Sequence, residues 1–373
     1  MGTRDPIGEG ERIMTICNAC RYCEGFCAVF PSMERRLTFA ESDLNYLANL
    51  CHSCTECLHA CQYGPPHPFD VNVPKTLARI RQLSYEKYCW PSGLGFLYRH
   101  AGISTVLGLL GVLLALMLAA TFAFGRNDLS GSGKAADFYG VIPHAVLASM
   151  FGAVFLLMLA AMSVAVRRYL RDTTGPLASS GSGGVAAGLR DALSLKFLHG
   201  SNQDCSTAES LRTPWRRLFH HFTFYGFLSC FAATSVATVY HTLLDRPAPY
   251  PWLSLPVILG TVGGIGLIVG PLGLCLNRRK RDPAAFDPEQ QGLDRGFILA
   301  LLLTSATGLA LLAARATPAM GLLLIVHLAA VMTLFLTLPY GKFVHGLYRA
   351  AALIQYARES RSSRPDGAPH AVG

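Results

Sequence analysis

Apolar residues divide the chain into two unlike parts. Residues 1–98 mix polar, charged and apolar positions, whereas most of the remainder consists of six long apolar stretches separated by polar segments. Each stretch has roughly the 20 residues that an α-helix needs to cross the hydrocarbon core of a bilayer. The stretches expected to span the membrane are 103–124, 142–166, 219–243, 253–276, 296–313 and 320–344. The pattern predicts a mainly α protein in which a small N-terminal domain precedes a six-helix transmembrane bundle.

We expect the chain to divide into three regions. Residues 1–98 form the N-terminal domain, and residues 99–348 form the membrane domain, which carries an insert at about 167–218. The insert is rich in Gly, Ser and Thr, contains Cys205, and is too long for a simple connection between helices, so that an ordered cap and a mobile segment both remain open. Residues 349–373 are expected to form a polar tail.

Four glycines lie close together in the fourth apolar stretch. They are Gly260, Gly263, Gly264 and Gly266. Their spacing superficially resembles a dinucleotide-binding fingerprint, but that fingerprint requires a strand before the glycines and a helix after them. The surrounding sequence predicts no strand. The glycines therefore indicate close packing between membrane helices through small residues.

Positive charge is concentrated in one set of connecting segments. The chain has a formal net charge of +9, and the excess lies mainly in 167–218, 277–295 and the tail. Because positive residues favour cytoplasmic loops, this predicts that both termini and the N-terminal domain are cytoplasmic. The polar character of residues 1–12, which contain no apolar leader, favours the same orientation. The charge is thus a signal of membrane topology, and no nucleic-acid partner is expected.

Two cysteine runs in the N-terminal domain share one spacing, C-x2-C-x2-C-x3-C. The runs are Cys17, Cys20, Cys23 and Cys27, and Cys51, Cys54, Cys57 and Cys61. This spacing is typical of a loop that holds a 4Fe-4S cluster, since soft thiolates share charge with iron. Two copies of the run predict two clusters and a ferredoxin-like dicluster domain.

The two runs are expected to exchange their last ligands. In two-cluster proteins the fourth cysteine of one run ligates the cluster of the other run. One cluster is therefore assigned to Cys17, Cys20, Cys23 and Cys61, and the other to Cys51, Cys54, Cys57 and Cys27. Structural zinc is the alternative, but it usually takes cysteine pairs set well apart. Ala28 and Gln62 stand where a bacterial ferredoxin has proline, so the domain is not a plain ferredoxin.

Histidines in the apolar stretches are candidate haem ligands, because an ionisable side chain at membrane depth is costly and reads as functional. The candidates are His144, His220, His221, His241, His327 and His345. On one continuous helix, His327 and His345 would lie on the same face, about 27 Å apart. Opposed histidine pairs suit b-type haems, whose iron binds an imidazole on each axial side.

The sequence leaves the pairing of these histidines open. His220 or His221 is expected near His345 at the inner surface, while His241 and His327 fall in the outer half. His144 is a further ligand opposite His327 or His241. One haem or two haems, or a quinone site built on some of these histidines, are all compatible with the pattern.

Quinone is expected to bind near a haem at a membrane surface. Tyr240 lies beside His241, and Tyr340 and Lys342 lie near His345, where each side chain has a group that can donate a hydrogen bond to a quinone oxygen. Tyrosine and lysine also collect at membrane interfaces as anchors. Both roles remain open for these three residues.

Four stretches of sequence carry a resemblance to a known family. They are residues 17–31, 51–69, 215–226 and 338–345. Together they resemble the tricarballylate (citrate) utilisation protein B family over nearly the whole chain, with all eight cluster cysteines present. The resemblance implies a membrane electron carrier with two 4Fe-4S clusters and b-type haem in the cytoplasmic (inner) membrane of a bacterium. It also implies that electrons enter from an FAD-dependent dehydrogenase of tricarballylate or a related polycarboxylate and leave to the quinone pool.

Two other interpretations remain open. The same parts would suit a heterodisulfide-reductase-like or other respiratory module that serves a different dehydrogenase. A membrane redox sensor, in which clusters only report on oxidation, would need neither haem nor quinone. The sequence contains no evident FAD fingerprint and no nucleophile with a paired base. We therefore expect this chain to be an electron-transfer subunit, with the dehydrogenation carried out by its partner.

Overall fold

The computed structural model describes residues 5–124, 138–175, 183–199, 215–278 and 283–362. Within these ranges the chain is helical and contains no strand, which confirms the mainly α class. A domain of short helices comes first, and long apolar helices follow it.

The N-terminal domain is built from short helices, and side chains cap the starts of two of them. They are α1 (Pro6–Cys20), α2 (Val29–Glu34), α3 (Glu41–Leu50), α4 (Glu56–His59), α5 (Val73–Tyr88) and α6 (Leu97–His100). Asp5 accepts hydrogen bonds from two backbone N–H groups at the start of α1. Asn72 does the same for the N–H of Lys75 in α5. Each cap satisfies N–H groups that have no partner within the first helical turn.

Three of these helices enclose the core of the domain. α1, α3 and α5 each turn one apolar face inward, with apolar residues at the three- and four-residue intervals of an amphipathic helix. The fully buried side chains are Ile13, Met14, Leu44, Leu47, Leu77 and Ile80. α1 and α5 approach closely at Gly10, where a Cβ atom would lie 2.5 Å from Cδ1 of Ile80.

Six of the remaining helices are long and apolar enough to cross a membrane, as the sequence predicted. The helices of this part are α7 (Ile103–Phe124), α8 (Phe138–Val141), α9 (His144–Thr173), α10 (Val185–Leu193), α11 (Trp215–Thr242), α12 (Leu255–Arg278), α13 (Gln291–Ala314), α14 (Met320–Thr337) and α15 (Val344–Ser362). The candidate spans are α7, α9, α11, α12, α13 and α14. The chain is therefore a multi-pass membrane protein.

Glycines bring α11 and α12 into close contact. A Cβ atom on Gly263 would lie 2.8 Å from the backbone N of Cys230, and one on Gly270 would lie 2.6 Å from the backbone N of Thr223. Only a residue without a side chain allows the two backbones to approach this closely. The prediction that the glycines of this stretch serve helix packing is confirmed.

The sixth apolar stretch does not form one helix over 320–344, as the hydrophobic pattern predicted. α14 ends at Thr337, and a 3-10 turn separates it from α15. Pro339 lies in that turn, has no N–H to donate, and clashes with the carbonyl group one turn earlier in an α-helix. The placement of His327 and His345 on one face of a single helix is therefore wrong.

The last helix belongs to the N-terminal domain. Tyr348, Leu353 and Glu359 of α15 are fully buried, and the carboxylate of Glu359 accepts a 2.8 Å hydrogen bond from Arg36. The hydroxyl of Tyr46 donates a further hydrogen bond to the same carboxylate. The expectation of a polar tail is thus wrong for residues 349–362, while residues 363–373 lie outside the described ranges.

The insert is ordered where the structure describes it. α10 packs against α15 so closely that a Cβ atom on Gly188 would lie 2.5 Å from the Cα of Ile354. Arg217 then donates a 2.7 Å hydrogen bond to the carbonyl of Ser194, just after α10. The described part of the insert therefore covers the last helix, and Cys205 lies outside the described residues.

Replacing Glu359 with glutamine tests the attachment of α15. Glu359 is 0% exposed and pairs with Arg36, which keeps its second ion pair, with Asp43, when Glu359 is replaced. We expect Glu359→Gln to lower the free energy of unfolding by about 1.5–3 kcal/mol, because it weakens hydrogen bonds to a buried charged group, measured by denaturant unfolding of the detergent-solubilised protein.

The matched control is Glu41→Gln. Glu41 pairs with Lys87 across an exposed surface, where such pairs contribute about 1 kcal/mol or less. Equal losses of stability in the two variants would show that the Glu359 pair does not hold α15 in place.

Candidate redox centres

Five cysteines drawn from both runs line one cavity of the N-terminal domain, and four of them form one set. The cavity has a volume of about 240 Å³, and its thiol lining includes Cys17, Cys20, Cys23 and Cys61, which we name the first thiol set. Three of these come from the first run and one from the second. The crossed ligand assignment made from the spacing stays a prediction, with which this lining is compatible.

The other four cysteines line a second, smaller cavity. Its volume is about 10 Å³, and it is bordered by Cys27, Cys51, Cys54 and Cys57, which we name the second thiol set. Cys57 also reaches the wall of the first cavity, so the two cavities adjoin. Each run therefore gives its fourth cysteine to the cavity of the other run.

Left-handed backbone positions fold the cysteine runs around these cavities. α1 ends at Cys20, and Arg21 follows with a φ of 54°, which reverses the chain toward Cys23. In the second run, Ser53 and Thr55 have φ values of 50° and 73°. These residues turn the loop after α3 so that its thiols face inward and the N–H of Ser53 lies 3.4 Å from the sulfur of Cys51.

Burial keeps these thiols protonated unless a positively charged partner binds them. It raises the pKa of Cys17 and Cys23 to about 12, with a further contribution from neighbouring thiols, and raises that of Cys54 to about 11. Thiols with such pKa values stay protonated at neutral pH. Because thiolate is the form that binds metal, a cationic iron core is what would ionise them here.

The arrangement fits clusters better than single metal ions. Among the described residues, no group of three or more His, Cys, Asp or Glu side chains is placed to hold one metal ion. The thiols of the first set instead surround a cavity of about 240 Å³, as the ligands of an iron–sulfur cube do. Structural zinc, the alternative from the spacing, requires four ligands that converge on one point.

Three arginines hold the loop of the second thiol set by its backbone. Arg81 and Arg349 donate hydrogen bonds of 2.8 and 2.9 Å to the carbonyl oxygen of Cys51. Arg216 donates hydrogen bonds of 2.9 and 3.1 Å to the carbonyl oxygens of His52 and Ser53. We name Arg81, Arg216 and Arg349 the arginine clamp, which the sequence analysis did not identify.

One histidine pair lies at the end of the membrane helices that meets the N-terminal domain. The ring centroids of His220 in α11 and His345 in α15 are 6.1 Å apart, and we name these residues the inner histidine pair. Burial, together with the charges of Arg349 and Lys342, lowers the pKa of His345 well below its ordinary value. The ring is therefore neutral, which is the form that binds metal.

His221 does not belong to this pair. Its ring stacks on Tyr225, and the Nε of Arg217 lies 3.4 Å from its Nε2. The sequence left His220 and His221 open as partners of His345, and the structure brings His220 to it. The Nδ1 atoms of both His220 and His221 are buried without a hydrogen-bond partner among the described residues, so the contact with the ring of His345 is what distinguishes His220.

A second histidine pair lies at the opposite end of α11. The ring centroids of His144 and His241 are 4.0 Å apart, and Tyr139 contacts both rings. Two metal–imidazole bonds of about 2 Å each already amount to about 4 Å between the nitrogens alone. The 4.0 Å between the ring centroids of His144 and His241 is therefore too short for an iron between those rings, whereas the 6.1 Å between His220 and His345 does not exclude one.

His327 stands apart from both pairs. Its Nδ1 lies 3.0 Å from the hydroxyl of Thr307, and its ring covers Gly308, where a Cβ atom would lie 2.9 Å from Cε1 of the histidine. Within the described chain no ring contact joins it to another histidine. This placement gives His327 a role in joining α13 to α14.

The three candidate quinone residues are engaged within the protein. The hydroxyl of Tyr340 donates to the carbonyl of Trp90, and Lys342 forms a 2.9 Å ion pair with Asp294. Tyr240 packs edge-on against the ring of Tyr250 at the outer end of α11. Their assignment to a quinone site stays a prediction.

Comparison with known sequences assigns both halves of the chain to one family. The citrate utilization protein B Fer4-like domain matches residues 10–87, and the citrate utilization protein B family model matches residues 103–366. The chain belongs to the citrate utilization protein B family. The protein of that name from Escherichia coli is 51% identical over 366 residues, which cover 97% of this chain and 95% of the relative. No solved structure matches the chain.

Membership of the citrate utilization protein B family confirms the resemblance found in the sequence. The Fer4-like domain coincides with the helices that carry both cysteine runs. Together with the membrane helices, it indicates an iron–sulfur electron-transfer role at a membrane.

Serine substitutions test the two thiol sets separately. We expect Cys20→Ser to remove or alter the signal of one cluster in electron paramagnetic resonance, and Cys54→Ser that of the other, because a serine hydroxyl is a poorer iron ligand than a thiolate. Cys89, which is buried but borders neither cavity, provides the control. An unchanged spectrum in both variants would contradict the cluster assignment.

Adjacent histidines provide a matched test of the inner pair. We expect His220→Ala to lose b-type haem absorbance in the reduced-minus-oxidised spectrum, because it removes one axial imidazole. His221→Ala should retain that absorbance, since the ring of His221 faces Tyr225. Haem retained in the first variant, or lost equally in both, would show that His220 is not a ligand.

Proposed function

We propose that the protein carries electrons from the reduced flavin of a partner dehydrogenase to quinone in the membrane. The observation that carries this proposal is the attachment of the second thiol set to the inner histidine pair. Arg216 precedes His220 by four residues in α11, and Arg349 follows His345 by four residues in α15. Both arginines bind the loop of the second thiol set, so one helical turn of about 5.4 Å separates each histidine from its loop anchor.

The proposed ligands follow from the geometry of each group. The first and second thiol sets would each hold a 4Fe-4S cluster, and the inner histidine pair would hold a b-type haem. These groups supply one-electron redox chemistry when bound, while the chain supplies their ligands, their burial and their spacing. A second haem at His144 and His241 would require those rings to move apart.

The overall reaction balances without a substrate bound to this chain. Reduced flavin gives up two electrons and two protons to become oxidised flavin, and quinone takes up two electrons and two protons to become quinol. One-electron centres divide the transfer into two single-electron passages. The polycarboxylate, whether tricarballylate or a relative of citrate, is oxidised on the flavoprotein.

The surface beside the first thiol set suits the docking of that flavoprotein. Tyr22 and Phe69 are 57% and 48% exposed, and Tyr22 lines the first cavity. Exposed aromatic side chains are characteristic of protein interfaces. The second cavity, by contrast, is bordered by the loop that meets the membrane helices, so the first thiol set is the point where electrons enter.

The orientation of the chain follows from its charges. Arg216 lies at the end of α11 that contacts the N-terminal domain, and Arg167, Arg171 and Arg278 lie near the ends of α9 and α12. Positive residues favour the cytoplasmic side. We therefore place the N-terminal domain and α15 in the cytoplasm of a bacterium, at its inner membrane.

Reduction of the haem by flavin tests the proposed order of transfer. Chemically reduced FAD is mixed anaerobically with the full-length protein, and haem absorbance is followed over time. We expect Cys54→Ser to slow haem reduction at least tenfold, because it disrupts the centre next to the inner histidine pair. Dithionite, a small reductant that can reach the haem directly, should still reduce it fully.

The control for this experiment is His221→Ala, which should be reduced at the rate of the unaltered protein. Haem reduction in Cys54→Ser at the unaltered rate would exclude the second thiol set from the path. Haem-free protein with both clusters present would favour a redox sensor instead.

A further inference from the structure

The arginine clamp gathers positive charge from three distant parts of the sequence at one loop. Arg81 comes from α5, Arg216 from α11 and Arg349 from α15, and all three donate to backbone oxygens within residues 51–53. Arg81 also donates a 2.9 Å hydrogen bond to the hydroxyl of Ser53. These contacts fix the backbone of the loop, and they also place three guanidinium charges behind the second thiol set.

Part of this charge is not neutralised by nearby acids. Among the residues that the structure describes, neither Arg81 nor Arg349 lies within ion-pair distance of a carboxylate, and the Nε atom of each is buried without a hydrogen-bond partner. A guanidinium group stays protonated at every physiological pH. Buried charges are also screened weakly by salt, so their field reaches the adjacent thiols.

The arginine that contacts the run of the first thiol set is exposed. Arg21 donates a 3.1 Å hydrogen bond to the carbonyl oxygen of Asn18, between Cys17 and Cys20, from a position open to solvent, where water and salt screen its charge. No lysine, arginine, aspartate or glutamate lines either cavity, so the two sets differ in the burial of the arginines behind their loops. The contact to the sulfur of Cys20 comes from a neutral amide, the Nε2 of Gln62, at 3.8 Å. The carboxylate of Glu56 raises the pKa of Cys23 in the first set and of Cys27 and Cys54 in the second, so its negative charge acts on both sets and opposes the clamp at the second.

A difference in surrounding charge becomes a difference in reduction potential. An iron–sulfur cluster becomes more negative when it gains an electron, so nearby positive charge stabilises the reduced form and raises the potential. We infer that the arginine clamp holds the reduction potential of the centre on the second thiol set above that of the centre on the first. This inference rests on the proposed clusters. It gives electron transfer a direction, from the centre on the first thiol set to the centre on the second, whose loop meets the membrane helices.

The transfer itself needs no further reactant. One electron leaves the centre on the first thiol set, which is oxidised, and enters the centre on the second thiol set, which is reduced. No bond is made or broken and no proton moves. The clamp residues act through charge and hydrogen bonds, and are therefore positioning residues rather than ligands.

A redox titration followed by electron paramagnetic resonance tests the inference on the purified full-length protein. Cys20→Ser and Cys54→Ser first assign each signal to a thiol set. We then expect Arg349→Gln to make the second centre at least tenfold harder to reduce at equilibrium, a downward shift of about 59 mV or more for one electron. The potential of the first centre should not change.

Two further variants separate charge from structure. Arg349→Lys keeps the positive charge and should retain most of the unaltered potential. Arg168→Gln removes an arginine that also donates to a backbone carbonyl of the N-terminal domain, that of Cys89, but lies away from both thiol sets. Both potentials should be unaffected in this control. If Arg349→Gln fails to accumulate, Arg81→Gln makes the same test, with iron and acid-labile sulfide measured to confirm full clusters.

The outcomes separate this inference from the proposed function. Two cluster signals with unchanged potentials in the glutamine variants would overturn the inference and leave the proposed function in place. Equal shifts of both centres would overturn it too, since they would reflect general loosening. Absence of both signals from the unaltered protein would overturn the proposed function and the inference together.

Discussion

Hydrogen bonds from buried arginines to one short loop connect the parts of this protein. The loop carries half of the second thiol set, and its carbonyl oxygens accept from α5, α11 and α15 at once. Buried carbonyl groups require partners, and charged donors make the strongest ones. Because α11 and α15 also carry the inner histidine pair, the same contacts that fix the loop fix its position relative to those histidines.

Much of the architecture and of the thiol geometry was predictable from the sequence, because both depend on local spacing. The cysteine runs hold their ligands within short loops, and the apolar stretches reveal membrane helices by length alone. The predictions that were wrong concern contacts between residues far apart in the sequence. Continuous apolar character across Pro339 concealed the break after α14, and the polar surface of α15 concealed a buried face with Glu359 in it.

The roles of the histidines and arginines likewise depend on contacts that spacing along the sequence does not reveal. His220 and His221 are adjacent and have equal chemistry, so only the rotation of α11 decides which of them faces His345. The arginine clamp draws on positions more than 100 residues apart, and its members resemble the other positive residues that set topology. The contact of His327 with Thr307 on the preceding helix is a further long-range feature that spacing along the sequence does not reveal.

The position of α15 has a consequence for biosynthesis. The N-terminal domain is made first, yet one wall of its core is the last described helix of the chain. The ribosome must therefore complete all six membrane helices before that wall exists. Until then, the buried faces of α3 and α5 and the loop of the second thiol set lack their final cover. The N-terminal domain is therefore translated first, yet it can complete its fold only after the membrane domain has been synthesised.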